Sequence, residues 1–212
     1  MKLLSNSTKI FIETLERTAL KRAANGDVTV LDEGLYKVYQ LYKTGKIKFQ
    51  DHVIEIAAVV AGQTSVDFVK ESLAKVIGVR NLGNAKLNEN EFFCPTAIQM
   101  LGVEGLAGVT DADLQSAEYG PIDTLNAVTN GWLDVKVNET EYLLRELPTG
   151  RFTQLNGGGT QDAPKGMVFL DNTTIMKPQY RNEIILKTGV AMGAATAVKF
   201  LIYGTRTTPV GN

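Results

Sequence analysis

Every proline of this chain lies beyond residue 90: Pro95, Pro121, Pro148, Pro164, Pro178 and Pro209. Proline fixes φ and removes a backbone donor, so it punctuates turns and is kept out of helix interiors. Fourteen of the 20 glycines fall in the same part. Charge divides there too: residues 1–90 hold 13 basic and 10 acidic groups, a balance of +3, whereas residues 91–212 hold 9 and 13, a balance of −4. A proline-free part followed by a turn-rich one predicts helices and then strands, an α+β order rather than alternating βαβ units. The expected division is a helical region over 1–90, serving as an assembly arm, and an antiparallel β-sandwich over 91–212.

Periodicity fills in the elements. Phe11, Leu15, Ala19 and Ala23 follow a four-residue step after Ser7, a candidate cap, with Asn25-Gly26 as the stop. Leu35, Val38, Tyr39 and Tyr42 predict a second helix ending at Thr44-Gly45. Ser65 precedes Phe68, Val69, Leu73, Val76 and Ile77, which predict a third helix closed by Gly78. Val53 to Val60 fits a helix or a buried strand, and Ala57-Ala58 at its centre favours helix. After residue 90 the period turns to two. Phe92-Phe93 and Ala97 to Leu101 read as extended, and Trp132 to Val137 with Thr140 to Leu144 reads as a hairpin across Asn138-Glu139. Leu147 to Phe152, Met167 to Leu170, Thr174 to Met176, Ile184 to Leu186 and Val198 to Tyr203 complete roughly seven or eight short strands, the spacing of an antiparallel sandwich. Gly157-Gly158-Gly159 marks a mobile loop.

Composition excludes most chemistry. Apolar residues make up 44% and charged residues 21% of the 212, a globular average with a net charge of −1, so no strong bias towards nucleic acid or anionic membrane follows. One cysteine, Cys94, excludes an internal disulfide; one histidine, His52, excludes a multi-histidine metal site. Cys94 stands between Phe93 and Pro95, the setting of a small buried hydrophobe. His52 stands beside Asp51 and three residues before Glu55, which on a helix gives an exposed ion pair rather than a catalytic base. No G-x-S-x-G elbow is present.

The remaining patterns are weaker. Asp111 and Asp113, and Glu139 and Glu141, have a spacing that places each pair on one face of a strand, yet both clusters read as solvated turns. Gly102, Gly105 and Gly108 lack the spacing and the following helix of a dinucleotide fingerprint and read as a flexible loop. Trp132 reads as a core or interface residue. Lys21, Arg22, Lys37, Lys43, Lys46 and Lys48 give the first part a modest basic surface, a weak genome contact if many copies face nucleic acid. The sequence predicts no catalytic, cofactor-binding or metal-binding residues.

No signal peptide is expected, because Ser5 to Thr8 follows Met1 to Leu4 too early for an apolar signal core of about 7–15 residues. Val190 to Tyr203, broken by Lys199, falls short of the ~20 residues that span a bilayer, so no membrane span is expected either. Without secretion, the sequons at Asn6, Asn138 and Asn172 read as chance.

Lys177 to Lys187, followed after a small-residue segment by Ala197 to Thr207 with its Gly204-Thr205-Arg206-Thr207 ending, resembles the closing strands of bacteriophage capsid proteins with a jelly-roll fold. Trp132 to Phe152 is similar to their central hairpins, and the resemblance spans residues 91–212. It implies a self-assembling coat subunit of a virion, assembled in the host cytoplasm. Such a subunit has no cofactor and no catalytic residues, and its partners are itself and other virion proteins. Two other readings stand beside it: a ligand- or receptor-binding β-sandwich of fibre or carbohydrate-recognition type, and an enzyme centred on His52.

Overall fold

The computed structural model describes residues 6–22, 27–153, 166–193 and 195–210. The glycine run at 157–159 and the stop signal Asn25-Gly26 lie outside them.

Two helices open the chain. Helix α1 (Ser7–Ala19) begins after Asn6, whose side chain makes no capping bond. Ser7, the expected cap, instead donates its hydroxyl to Asp51 Oδ1 at 2.8 Å. The helix ends earlier than its apolar step predicts. Leu20–Arg22 (β1) pairs antiparallel with Val28–Val30 (β2) in a two-stranded hairpin. Helix α2 (Glu33–Lys43) is capped by Asp32, which accepts from the Leu35 amide at 2.9 Å. It stops where the sequence places its end, with Gly45 at φ +69.

The two larger sheets begin at residue 47, not after residue 90. Val53 to Val60 is not a helix: all of it but Val60 belongs to β3 (Ile47–Val59). His52, Ile54 and Ile56 alternate with Val53 and Glu55, and β-branched residues outweigh the two alanines once a partner strand is available. The expected third helix is also corrected. Ser65–Asp67 forms β4, after which the chain is irregular to residue 92 while it still buries Phe68, Val69, Leu82, Ala85 and Leu87 in the core. Pairing decides this locally: the Phe68 amide donates to Ile184 O at 2.9 Å, and Asp67 Oδ1 accepts from Val69 at 3.0 Å.

The later strands are β5 (Phe93–Val103), β6 (Gly120–Pro121), β7 (Trp132–Val137), β8 (Glu141–Pro148), β9 (Met167–Phe169), β10 (Glu183–Lys187) and β11 (Ala197–Pro209). Between β5 and β6 lies the short helix α3 (Asp111–Ser116), and between β6 and β7 one turn, α4 (Asn126–Thr129). The chain is therefore α+β with antiparallel sheets. One sheet runs β3-β11-β5, with β6 and β9 sharing the far edge of β5; the other runs β4-β10-β7-β8. Both contribute to one core. Ile54, Ile98, Met100, Val198, Phe200 and Ile202 come from the first, and Val66, Leu133, Val135, Leu143, Ile184 and Leu186 from the second. Each such side chain stabilises the fold by about 1.5–3 kcal/mol through its burial. Phe68 meets Phe200 edge to face at 4.8 Å.

The first sheet's outer face is covered at both ends. Phe11, Leu15, Leu35, Val38 and Tyr39 pack with Cys94 and Ile175, and Phe11 lies 4.8 Å from the ring of Phe49. Val79 and Leu114 cover Ala57 and Ala197 at the other end. Helices α1 and α2 are thus part of the body rather than a free arm. A salt bridge of 2.6 Å from Lys177 to the capping Asp32 ties them to the chain's last third.

Edge strand β3 is also guarded. Val79 O accepts from the Ala57 amide at 2.8 Å, and the Asn81 side chain accepts from Glu55 N and donates to Val53 O. Such cover removes a template for unwanted pairing.

Pro95 sits inside β5 opposite Gly204 of β11, where the register slips. The bulge accommodates the missing donor. Any Cβ on Gly204 would overlap the Cys94 carbonyl oxygen and lie 2.7 Å from the Phe93 ring. Gly204→Ala is therefore expected to destabilise the protein by about 1–3 kcal/mol, read as a lower urea midpoint with an unchanged slope.

Candidate functional site

The residues that sequence singled out do not converge. Cys94 is wholly buried among α1, α2 and β5, and burial pushes its thiol up to about 11, so it is protonated at neutral pH. A protonated, enclosed thiol is a poor nucleophile.

His52 lies on strand β3, not on a helix. Strand alternation turns its neighbours away: Asp51 accepts from Ser7, and Glu55 pairs with Lys199 across the sheet. The expected ion pair is therefore absent. The imidazole is instead half-buried, edge-on to Phe93 at 6.0 Å. Burial, then the nearby Arg206 charge, then Lys75 hold its pKa below the ordinary value, with Glu91 opposing.

The carboxylate pairs separate as well. Asp113 closes a capping box at the start of α3, accepting from the Thr110 amide at 2.9 Å and from its hydroxyl at 2.5 Å. Those bonds lower its pKa. Asp111 takes both guanidinium nitrogens of Arg80, one at 3.1 Å and one closer. Arg80 is almost fully buried, so this pair fastens the β3 edge cover to α3. Glu139 occupies the β7–β8 turn at φ +68, while Glu141 accepts from Thr174 Oγ1 at 2.6 Å. Asn138 is buried; its amide donates to Ile175 O at 2.9 Å and accepts from Lys177 N at 2.8 Å. Gly102 belongs to β5 rather than to a loop, paired with Val198 and Gly120, and a side chain there would collide with Leu125.

Two surfaces among the described residues gather chemically distinctive side chains. The first is the outer face of the β4-β10-β7-β8 sheet. Trp132 is 55% and Tyr142 53% exposed, which places Trp132 on the surface. Ion pairs frame them, Asp134–Lys187 at 2.9 Å and Lys136–Glu183 at 4.0 Å. Lys136 and Arg145 both stand over the Tyr142 ring, at 6.0 and 5.4 Å.

The second is a cleft of about 200 Å³ between the open end of β3 and the irregular segment 71–91, lined by His52, Lys75, Lys86, Asn88, Glu91 and Arg206. It shares Lys75, Lys86 and Asn88 with a wider one of about 620 Å³ that reaches Glu71, Glu89 and Gln179. Sequence reading missed this cleft because it placed a helix over 65–78. The turn residues Gly78, Gly83, Asn84 and Asn90 were the available signal.

Of the basic residues, Lys21, Lys37, Lys43, Lys46 and Lys48 are exposed, with Lys43 Nζ 5.1 Å above the Tyr39 ring; the Arg22 side chain lies outside the described residues. No protein-family model and no curated protein sequence matches the chain. Among the described residues no helix is long and apolar enough to cross a membrane.

His52 makes stability depend on pH. Its folded pKa lies below the unfolded value of 6.5, so the unfolded state binds more protons in that window. Its stabilising contribution is complete above the unfolded pKa and is lost as pH falls through the folded one. Urea titrations from pH 7.5 to 5.5 are expected to show this decline, and His52→Gln is expected to flatten it.

Proposed function

We propose that this chain is a structural subunit of a bacteriophage particle, a self-assembling coat protein with a jelly-roll body. One observation carries the proposal. Setting aside the β1–β2 hairpin and the two-residue β6, eight strands remain: β3, β4, β5, β7, β8, β9, β10 and β11. Numbered one to eight in chain order, they lie as 1-8-3-6 in one sheet and 2-7-4-5 in the other. Two Greek keys folded together into a jelly roll generate that order, and viral coats and lectins use it. The closing strands that resemble phage coats are β10 and β11, the seventh and eighth of this set.

A coat subunit needs a rigid body and surfaces for its neighbours. The common core and the docked helices supply the first. The second is offered by the β1–β2 hairpin, where Val28 and Val30 are 50% and 40% exposed, and by the Trp132–Tyr142 face. Its binding energy comes from buried interface area rather than from an active site. Its partners are further copies and other virion proteins, and its place is the virion.

A second reading, a ligand- or receptor-binding module, is favoured by Trp132 and Tyr142, since exposed aromatics on a sheet face suit the apolar faces of sugars. Light scattering and negative-stain imaging of the purified protein separate the two. The coat proposal predicts closed particles of many copies. A monomer at every concentration, with glycan binding that Trp132→Ala abolishes, would replace it with the second reading.

A further inference from the structure

The cleft beside β3 has a charge pattern that goes beyond an assembly role. Strand alternation places Lys48, Gln50 and His52 on one side of β3, while Ile47 and Phe49 face the helices. Lys48 pairs in register with Thr208 and Gln50 with Arg206 on the adjacent β11, so the Arg206 guanidinium lies beside the same row. It is held there by Gln50 Oε1 at 3.1 Å and by Glu91 at 3.6 Å. From the opposite wall come Lys75 and Lys86. Lys75 is steadied by Asn88 Oδ1 at 2.7 Å, which leaves its charge intact. Among the described residues no carboxylate forms an ion pair with Lys48, Lys75 or Lys86.

The acids nearby are fewer and are placed differently. Glu91 is engaged by Arg206 and by the Asn88 amide at 2.5 Å. Glu71 and Glu89 stand on the wider outer part. The inner cleft therefore holds three cations, Lys75, Lys86 and Arg206, against one carboxylate, with Lys48 continuing the row along β3. Positive charge on both walls of a concave groove concentrates field inside it.

We infer that this row of Lys48, Arg206, Lys75 and Lys86 is a binding track for the phosphodiester backbone of single-stranded nucleic acid. Several cations gathered on one groove suit the successive phosphates of a nucleic-acid strand. Burial is the main cause of the depressed His52 pKa, and the charges of Arg206 and Lys75 add to it against the opposing Glu91. This track is distinct from the α2 lysines Lys37 and Lys43, and it does not depend on the coat proposal.

Fluorescence anisotropy of a labelled oligothymidylate of about 20 nucleotides, titrated with the purified protein over a salt series, tests it. Saturable binding is expected, with log K falling linearly against log salt. Lys48→Gln/Lys75→Gln/Lys86→Gln is expected to weaken binding at least about tenfold and to reduce the salt slope by about 2, at about 0.7 for each phosphate no longer neutralised. Lys37→Gln/Lys43→Gln, which leaves the cleft untouched, is expected to bind as the parent does. The urea midpoint of each variant establishes that it is folded. Three results would overturn the inference: no saturable binding at about 50 mM salt, equal losses in both variants, or equal competition by polyglutamate, which would assign the row to acidic protein. Particle formation by the triple variant is unaffected by any of these, so the coat proposal stands or falls separately.

Discussion

The structure depends on one strand. β11 pairs along thirteen residues with β3 on one side and along ten with β5 on the other. Its inward side chains Val198, Phe200 and Ile202 are at most 2% exposed and meet residues from the second sheet. Without it β3 would be an isolated ribbon and β5 an edge, and the helices that lie on β3 and β5 would have no floor. β11 lies about 100 residues or more from the strands it pairs with, so the first sheet closes only through non-local contacts. Contacts of such long sequence separation give slow, cooperative folding.

Around that strand each exposed liability has a local remedy. The slip at Tyr203–Gly204 absorbs Pro95, which would otherwise leave a gap in the ladder. The free edge of β3 is occupied by Val79 and Asn81, and the buried Arg80 between them is neutralised by Asp111. Thr173 takes up the Pro95 carbonyl beside Cys94, so the layer under the helices is polar where it must be and apolar elsewhere. Among the described residues, a sheet face, a hairpin and a cleft stay open to partners. A subunit whose body is closed and whose remaining surface is segregated in this way is suited to specific association.

Much of this was legible in the sequence. The end of α2, the β7–β8 hairpin and the burial of Cys94 follow from turn chemistry and apolar flanks, all local signals. What was not legible is non-local. Ile54 and Ile56 alternate like a strand, but only the partner β11, nearly 150 residues away, makes that alternation decisive over Ala57-Ala58. Phe68, Val69 and Leu73 have helical spacing, yet β10 claims Val66 and Asp67, and the chain after them descends into the core. The reading of His52 failed for the same reason: once β3 is a strand, Asp51 and Glu55 point away from it. Turn residues mark the irregular wall of the cleft, but its meeting with Arg206 was not legible, since Gln50 and Arg206 are brought together only by register.

Hydrogen–deuterium exchange followed by mass spectrometry tests the central role of β11 most directly. Amides of Ala197–Pro209 and of the facing part of β5 are expected to exchange last, at the rate of global unfolding, with α1 and α2 exchanging earlier through local opening. Exchange in β11 that precedes exchange in the helices would contradict the account.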